Sequence, residues 1–232
     1  MGTWMGATVR GPQHQRERRA NDDAWLGVDG PYGSLIVVCD GMGSRPHGGA
    51  GARDACRSVR RVVGLWGGDG DTDVTVLLRM VPLWWSLAVR PRPTSDCATT
   101  CLFAALTPAR RLIVAQLGDG LAVLRMPDGE LRRVSTSREG FGNETTALGV
   151  AHRLDEWTWL DLPAAPQGTT VLLATDGLAD DLLPDRVGKL VAQLVADYGS
   201  LSRRVANAAL RRMLTDYPTP RHLDDKTLAL LW

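Results

Sequence analysis

The sequence predicts an α+β fold built on antiparallel sheets, and three observations lead to that prediction. Strand-like and helix-like segments occur in blocks along the 232 residues instead of alternating one by one, as in α+β proteins. Residues 34–39 form a short apolar run rich in β-branched side chains, which is typical of a buried strand. The chain has no internal repeat and no long linker, so we expect a single domain over residues 1–232.

The first half of the chain is expected to contain an arm, strands and helices. Residues 1–17 are polar and basic and predict an N-terminal arm or an edge strand. A glycine-rich stretch follows residue 40, and a helix comes next, on which apolar residues recur at helical spacing. These apolar positions are Ala52, Cys56, Val59, Val62, Val63 and Trp66. Four arginines fall mostly between them and predict a solvated face, with a surface for phosphate or an acidic partner as the alternative. They are Arg53, Arg57, Arg60 and Arg61.

The remaining elements follow from the same patterns. Residues 74–90 predict a second helix that is interrupted or kinked at Pro82. Three strand-like runs between residues 97 and 135 predict a β-meander, and a strand pair is expected at 157–161 and 169–175. The chain then predicts two helices and a final strand, at 184–196, 201–215 and 227–231.

Charge and composition exclude several classes of protein. The chain has 27 basic and 26 acidic residues, whereas nucleic-acid or membrane-surface proteins normally carry a basic excess. No apolar run approaches the ~20 residues that span a bilayer, and the N-terminus lacks the apolar core of a secretory signal. The spacing of the four cysteines does not suit a zinc site and indicates buried, reduced thiols. We therefore expect a cytoplasmic protein, acting as a monomer.

Several aspartates lie where predicted strands begin or end. Asp40 and Asp176 directly follow apolar runs, Asp224 and Asp225 precede the last strand, and Asp119 lies in a tight turn. Strand ends that meet at one edge of a sheet would bring these carboxylates together, and a hard divalent cation offsets their mutual repulsion. Oxygen-only ligands favour magnesium or manganese over zinc. The sequence therefore predicts a divalent-metal site.

The segment before the first apolar strand combines arginines with acids. Arg18 and Arg19 precede Asn21, Asp22 and Asp23. An arginine can bind a phosphate oxygen bidentately while nearby acids serve a metal or its waters. This arrangement indicates chemistry on a phosphate group.

Seven segments, in order from Arg18 to Leu231, resemble the motifs of the protein phosphatase 2C family, the metal-dependent serine/threonine phosphatases. The order along the chain is a more specific signal than any single segment. The glycine-rich loop is similar to the form found in bacterial members. The segments are RRANDDA, VVCDGMGS, CATT, LGDGLAVL, ETTALG, LLATDGLADDL and DDKTLALL.

The resemblance implies a fold and a ligand set. The expected fold is a four-layer αββα sandwich of two antiparallel sheets, with a metal site in a cleft at one end. Asp40 would bridge two Mn²⁺ or Mg²⁺ ions beside the Gly41 carbonyl, and Asp176 and Asp224 would complete the shell of the first ion. The full implied set is Asp22, Asp23, Asp40, Gly41, Asp119, Asp176 and Asp224.

The remaining residues of the site have implied roles as well. Asp22 would hold the second ion with support from Asp23, Asp119 would serve a third and weaker metal site, and Arg18 would bind the substrate phosphate. The resemblance implies that a metal-bridging hydroxide hydrolyses phosphoserine or phosphothreonine in proteins, opposing a Ser/Thr kinase in signalling. Arg18 and Asp40 are thus the expected catalytic residues.

The chain also departs from the family pattern. Asp22 replaces the usual Glu, and Asp225 stands where the family has Asn. We expect the Asp225 side chain to face solvent, with a stronger attraction for the metal as the alternative. The flap that shapes the family's substrate cleft is short or absent between residues 134 and 148. Met42 replaces a histidine found in some relatives, so His47, His222 or a metal-bound water is the candidate general acid.

Two other functions stay open from the sequence. The same fold without turnover would bind a phosphoprotein or a kinase as a regulatory module, although an intact aspartate set argues against this alternative. A metal-dependent phosphodiesterase or nuclease is disfavoured by the near-neutral charge. The physiological partner is expected to be a phosphoprotein, either a Ser/Thr kinase or its target.

Overall fold

The computed structural model describes residues 2–67, 72–134, 146–218, 220 and 223–232. In these ranges the strands are β1 (Trp4–Val9), β2 (Asp23–Gly30), β3 (Gly33–Asp40), β4 (Cys101–Leu106), β5 (Leu112–Leu117), β6 (Leu121–Arg125), β7 (Leu131–Arg133), β8 (Thr158–Leu162), β9 (Thr170–Ala174) and β10 (Lys226–Leu231). The helices are α1 (Pro12–Arg16), α2 (Gly48–Trp66), α3 (Val74–Ala88), α4 (Asp176–Ala179), α5 (Val187–Tyr198) and α6 (Arg203–Asp216).

The strands form two five-stranded antiparallel sheets. Sheet A has the order β1-β10-β9-β6-β7, and sheet B has the order β2-β3-β4-β5-β8. An apolar layer that includes Ile36, Leu102 and Leu173 separates the two sheets. Helices α2 and α3 cover the outer face of sheet B, and α5 and α6 cover the outer face of sheet A. The expected αββα sandwich is confirmed.

Helix α2 has the two faces that its sequence predicts. Its apolar residues, including Val59 and Val62, are buried against sheet B, because a stripe at helical spacing places them on one side. The four arginines of this helix are exposed. The same helix begins beside the start of β2 and the end of β3, because Gly49 lies against Asp22 and Gly48 lies against Gly41.

The predicted β-meander is wrong in its pairing. Strands β4 and β5 pair in sheet B, but β6 pairs with β7 and β9 in sheet A. The chain crosses between sheets at Gly118 and Gly120, whose φ angles of 90° and 116° favour glycine. Both strands predicted at 157–161 and 169–175 exist, as β8 and β9, but they do not pair with each other. Strand β8 pairs with β5 in sheet B, and β9 pairs with β10 and β6 in sheet A.

Helix α3, strand β1 and the cysteines can also be compared with the sequence predictions. Helix α3 contains Pro82 and is not interrupted there, whereas a kink at Pro82 stays a prediction. The N-terminal residues form β1, the edge strand of sheet A beside β10. All four cysteines are free and buried, as predicted. Within the described ranges, no helix combines the length and apolar character that crossing a membrane requires. The segment expected to lack a flap falls largely on residues 135–145, outside the described residues.

Candidate metal centre

The carboxylates of two neighbouring strands face the same edge of the sandwich. Asp23, the first residue of β2, lies directly opposite Asp40, the last residue of β3. Residues paired in this way have Cβ atoms roughly 5 Å apart. In sheet A, Asp176 follows β9 as the first residue of α4, and Asp224 lies two residues before β10. The antiparallel topology therefore brings together acids from four distant parts of the chain.

Asp23 connects the two sheets. It is 5% exposed, and its Oδ2 accepts hydrogen bonds from the hydroxyls of Thr175, at 2.9 Å, and Thr227, at 2.7 Å. Both threonines belong to the sheet A side, next to Asp176 and β10. Asp23 thus orients the edge of sheet B against the edge of sheet A, which sets the spacing between the carboxylates of the two sheets.

Asp40 is held through its main chain by two consecutive threonines. Its N–H donates to Thr100 Oγ1 at 2.9 Å, and its carbonyl accepts from Thr99 Oγ1 at 2.7 Å and from the Thr100 N–H at 2.9 Å. All three contacts involve the main chain of Asp40 and none involves its carboxylate. They also explain why the CATT segment belongs to the site although neither threonine supplies a carboxylate.

Burial and mutual repulsion shift the acids of this edge toward their protonated forms. Burial first, and then the charges of Asp225 and Asp176, raise the pKa of Asp23 to about 8, against the lowering effect of the threonine hydrogen bonds. Burial and the charges of Asp23 and Asp176 raise the pKa of Asp40 well above its ordinary value. Burial also raises the pKa of Asp224. A positive ion would offset this repulsion.

The start of helix α2 approaches the acids closely. A Cβ on Gly49 would lie 2.5 Å from Asp22 Oδ1 and 2.9 Å from its Cα. A Cβ on Gly41 would lie 2.3 Å from the backbone carbon of Gly48. Only glycine fits such contacts without a shift of the backbone. The glycine-rich stretch after β3 therefore lets the helix pack directly against Asp22 and Gly41.

The two adjacent arginines lie in different environments. Arg19 Nη2 donates to Asp22 Oδ2 at 3.0 Å and to the Gly43 carbonyl at 3.3 Å. Arg18 is exposed and has a left-handed backbone, with φ at 57°, which costs a non-glycine residue about 1 kcal/mol or more. Arg19, not Arg18, is thus the arginine in contact with a predicted ligand. Phosphate binding by Arg18 stays a prediction.

Asp225 is buried, whereas we expected from the sequence that it faces solvent. The residue is 2% exposed. Its Oδ1 accepts from the Gly11 N–H at 2.7 Å, and its Oδ2 accepts from the Asp22 N–H at 2.7 Å and lies 2.8 Å from His14 Nδ1. The solvent-facing expectation is wrong because the segment from Gly11 to His14 lies against this side chain, with the Gly11 N–H at Oδ1 and the His14 ring at Oδ2.

His14 belongs to this cluster although we did not predict it from the sequence. The imidazole is 4% exposed, and its Nε2 lies 3.9 Å from Asp22 Oδ2 while its Nδ1 contacts Asp225. The one signal in the sequence was Asp225, which stands where the family pattern has Asn. If the extra carboxylate is buried, it requires a nearby hydrogen-bond donor or cation. With four histidines in the chain, that signal pointed to a histidine without selecting which one.

Of three further candidate residues, two lie at the protein surface and one lies outside the described residues. Asp119 is exposed in the turn between β5 and β6. His47 is exposed at the residue preceding helix α2, and its N–H donates to the Asp96 carbonyl. His222 lies outside the described residues. Neither Asp119 nor His47 is thus buried among the central carboxylates.

The donor set fits a hard divalent cation. The central groups are carboxylates from both sheets, and burial makes their charge unfavourable without a counter-ion. His14, Asp224 and Asp225 offer ligand atoms within 4.8 Å of one another, but the hydrogen bonds of His14 and Asp225 give these two a supporting role. The oxygen donors of Asp40, Asp176 and Asp224 suit magnesium or manganese.

Several solved structures with the same fold are described as phosphatases. A bacterial serine phosphatase is 17% identical, with a TM-score of 0.71 and coverage of 100% of this chain and 97% of its own. The catalytic domain of the serine threonine protein phosphatase PstP, solved with two manganese ions, is 20% identical, with a TM-score of 0.63 and coverage of 99% and 97%. PppA of Pseudomonas aeruginosa is 20% identical, with a TM-score of 0.67 and coverage of 99% and 96%.

The sequence comparison agrees with the fold. No curated protein matches the chain significantly in sequence. The family profile described as Protein phosphatase 2C matches residues 10–215, which include α1, the carboxylate-bearing ends of β2 and β3, and Asp176. The chain therefore belongs to the protein phosphatase 2C family and is a protein serine/threonine phosphatase by that membership.

Proposed function

We propose that this protein hydrolyses phosphoserine and phosphothreonine in a protein partner with the help of two bound Mn²⁺ or Mg²⁺ ions. The observation that carries the proposal is the meeting of Asp23, Asp40, Asp176 and Asp224 at one edge of the sandwich. There, burial of the Asp40 carboxyl and then the charges of the other three acids raise the pKa of Asp40 well above its ordinary value. A fold gains nothing from such repulsion unless a cation offsets it. In a metal-dependent phosphatase, such a cation would take part in phosphate hydrolysis.

The proposed ligand assignment follows the contacts. The two ions would be held by oxygen atoms of Asp40, the Gly41 carbonyl, Asp22, Asp176 and Asp224. Asp23 would act through the threonine hydrogen bonds that align the sheets. Asp119, exposed in its turn, would serve a third ion. Two such ions, when bound, would lower the pKa of a water molecule and offset the negative charge of a phosphate monoester.

The chain's own side chains would orient the substrate. The exposed Arg18 guanidinium is free to reach a phosphate oxygen, since Arg19 already binds Asp22 and Gly43. Guanidinium and phosphate form bidentate hydrogen bonds that fix the phosphorus for in-line attack. Its left-handed backbone supports a functional role, because strained residues persist where the surrounding structure holds them.

The proposed setting is cytoplasmic signalling opposite a Ser/Thr kinase, and four free, buried cysteines fit a reducing compartment. The structure of PstP with two manganese ions supports manganese as the first metal to test.

The test is hydrolysis of para-nitrophenyl phosphate and a phosphothreonine peptide, with and without Mn²⁺, by the wild type and Asp40→Asn. We expect manganese-dependent hydrolysis that Asp40→Asn lowers by about 100-fold or more, because the amide removes a shared anionic ligand. A wild type that binds Mn²⁺ in calorimetry yet hydrolyses neither monoester would instead be a regulatory module. Cleavage of a phosphodiester in preference to both monoesters would replace the proposal with a phosphodiesterase.

A further inference from the structure

An arginine-lined groove runs along the outer face of helix α2. One wall is a side of this helix that carries residues spaced three or four apart, namely Arg57, Arg60, Arg61 and Gly64. The opposite wall is Tyr32, in the turn between β2 and β3. The groove encloses about 630 Å³. It exists because Gly64 has no side chain to fill the space next to the tyrosine ring.

The groove is remote from the candidate metal centre. Tyr32 lies at the turn of the β2–β3 hairpin, whereas Asp23 and Asp40 lie at its open end. Strand β2 separates the two ends by seven residue steps from Asp23 to Gly30, or roughly 24 Å at the usual rise. A ligand in the groove would therefore contact none of the proposed metal ligands.

The positive charge of the groove is largely uncompensated within the described residues. Arg57 Nη1 donates to Asp54 Oδ1 at 3.0 Å, and Asp54 is shared with Arg92. In the described part of the chain, Arg60 and Arg61 have no carboxylate partner, and no acidic side chain lines the groove. Three guanidinium groups and a phenol thus face one space, an arrangement that suits carboxylates or phosphates.

An apolar shelf adjoins the arginines. The Arg61 guanidinium lies 5.6 Å from the centre of the Trp84 ring on helix α3, a cation–π contact. On the same helix Leu83 and Leu87 are 67% and 64% exposed, one turn apart. Exposed apolar side chains grouped beside charged ones mark protein interaction sites. A partner for this surface therefore needs acidic and apolar side chains together.

We infer that the α2–α3 surface, defined by Tyr32, Arg57, Arg60, Arg61, Leu83 and Leu87, docks an acidic segment of a protein partner. The acids would meet the arginines, and an apolar side chain would cover the leucines beside Trp84. Charge complementarity selects the acidic character, and the apolar shelf selects a peptide over a nucleic acid. Docking here would bring a partner to the enzyme without obstructing the metal centre.

The test measures binding, so it stands whether or not the proposed hydrolysis is found. The probe is a fluorescein-labelled peptide of repeated Glu-Glu-Leu triplets, followed by fluorescence anisotropy. We expect Arg60→Glu to raise its Kd by about tenfold or more, since a charge reversal in a groove removes an attraction and adds a repulsion. Gly64→Glu should act similarly, because a Cβ at this position meets Tyr32 at an ordinary 3.6 Å and the carboxylate then occupies the groove.

Arg212→Glu is the matched control, since it makes the same charge change at an exposed position of α6, which covers the other sheet. It should leave the Kd within about twofold of wild type. Equal loss in Arg212→Glu and Arg60→Glu would mean that the peptide senses only net charge, and the inference would fail. Equal binding of a Gln-Gln-Leu peptide, or tighter binding of single-stranded DNA at equal charge, would also overturn it.

One further variant addresses the chain's own acids. Gly67 lines the groove, and Asp69 and Asp71 follow it closely in the sequence. If the groove is open to a partner, Asp69→Asn/Asp71→Asn should bind the peptide as the wild type does. Binding that appears only in this double variant would show that the chain neutralises its own groove, and the docking site would be refuted.

Discussion

Asp225 connects three parts of the chain that surround the carboxylates. Its two oxygens accept from the Gly11 and Asp22 main chains and contact His14. The main chain of the predicted ligand Asp22 is thus held by a residue that neighbours another predicted ligand, Asp224. Both oxygens of this buried side chain have hydrogen-bond partners, and removing the single partner of Oδ1, the Gly11 N–H, would leave a buried polar atom unsatisfied at considerable cost.

The two adjacent arginines give a residue-scale prediction. We expect Arg18→Ala to raise the KM for para-nitrophenyl phosphate by about tenfold or more, because the charge-assisted guanidinium–phosphate contact is lost. The Mn²⁺ concentration that supports half-maximal activity should change little. Arg19→Ala should instead raise that Mn²⁺ concentration, because Arg19 orients Asp22. The measurement is a matrix of initial rates over substrate and metal. The reverse pattern would assign phosphate binding to Arg19.

At the scale of elements, helix α2 serves both ends of the molecule. Its first turn packs against Asp22 through Gly49, and its later turns carry the arginine groove beside Gly64. Two glycines of one helix thus have opposite surroundings. At Gly49 the backbone of another segment blocks a side chain, and at Gly64 only solvent and a tyrosine ring lie nearby.

That contrast predicts different outcomes for the same substitution. Gly49→Ala should weaken Mn²⁺ binding by about tenfold, because its Cβ would displace Asp22 by several tenths of an ångström or more. Gly64→Ala should keep wild-type metal binding and raise the free energy of unfolding by up to about 1 kcal/mol, the usual gain in an exposed helix interior. Calorimetry and thermal unfolding measure the two effects. Unchanged Mn²⁺ binding in Gly49→Ala would contradict the close packing.

For the whole molecule, the carboxylates couple stability to pH. Burial raises the pKa of Asp23 to about 8, above the ordinary value of about 4 for an unfolded chain. Between these values the folded protein binds more protons than the unfolded protein, so the free energy of unfolding falls as pH rises. The raised pKa values of Asp40 and Asp224 act in the same direction.

The corresponding prediction concerns the protein in EDTA. Its free energy of unfolding, measured by urea titration, should decrease from pH 5 toward pH 8, and Asp23→Asn should make this decrease smaller. Saturating Mn²⁺ should stabilise the wild type most at the higher pH, where the ligands bind metal without losing protons. A metal-free wild type whose stability rises steadily over the same interval would show that these acids do not carry the raised pKa values.

The fold of this molecule was predictable from the sequence at the level of elements and, through family resemblance, of architecture. The stripe on α2 and the run that forms β3 are local patterns with strong periodicity, so they identify their elements directly. The pairing of β6 was not predictable in this way. Turn chemistry at Gly118 and Gly120 marks a change of direction, but whether the next strand stays in its sheet depends on contacts with β9, which lies far along the chain.

The candidate site divides along the same line. The sequence by itself determined the strand-end carboxylates and the glycine stretch that lets α2 approach them, because both are local features. Only the tertiary structure decided that Asp225 is buried against His14, 211 positions away, that Arg19 contacts Asp22, and that Tyr32 closes a groove over the α2 arginines. Such contacts depend on how sheets and helices pack, and local sequence patterns carry no information about which distant residue will be the neighbour.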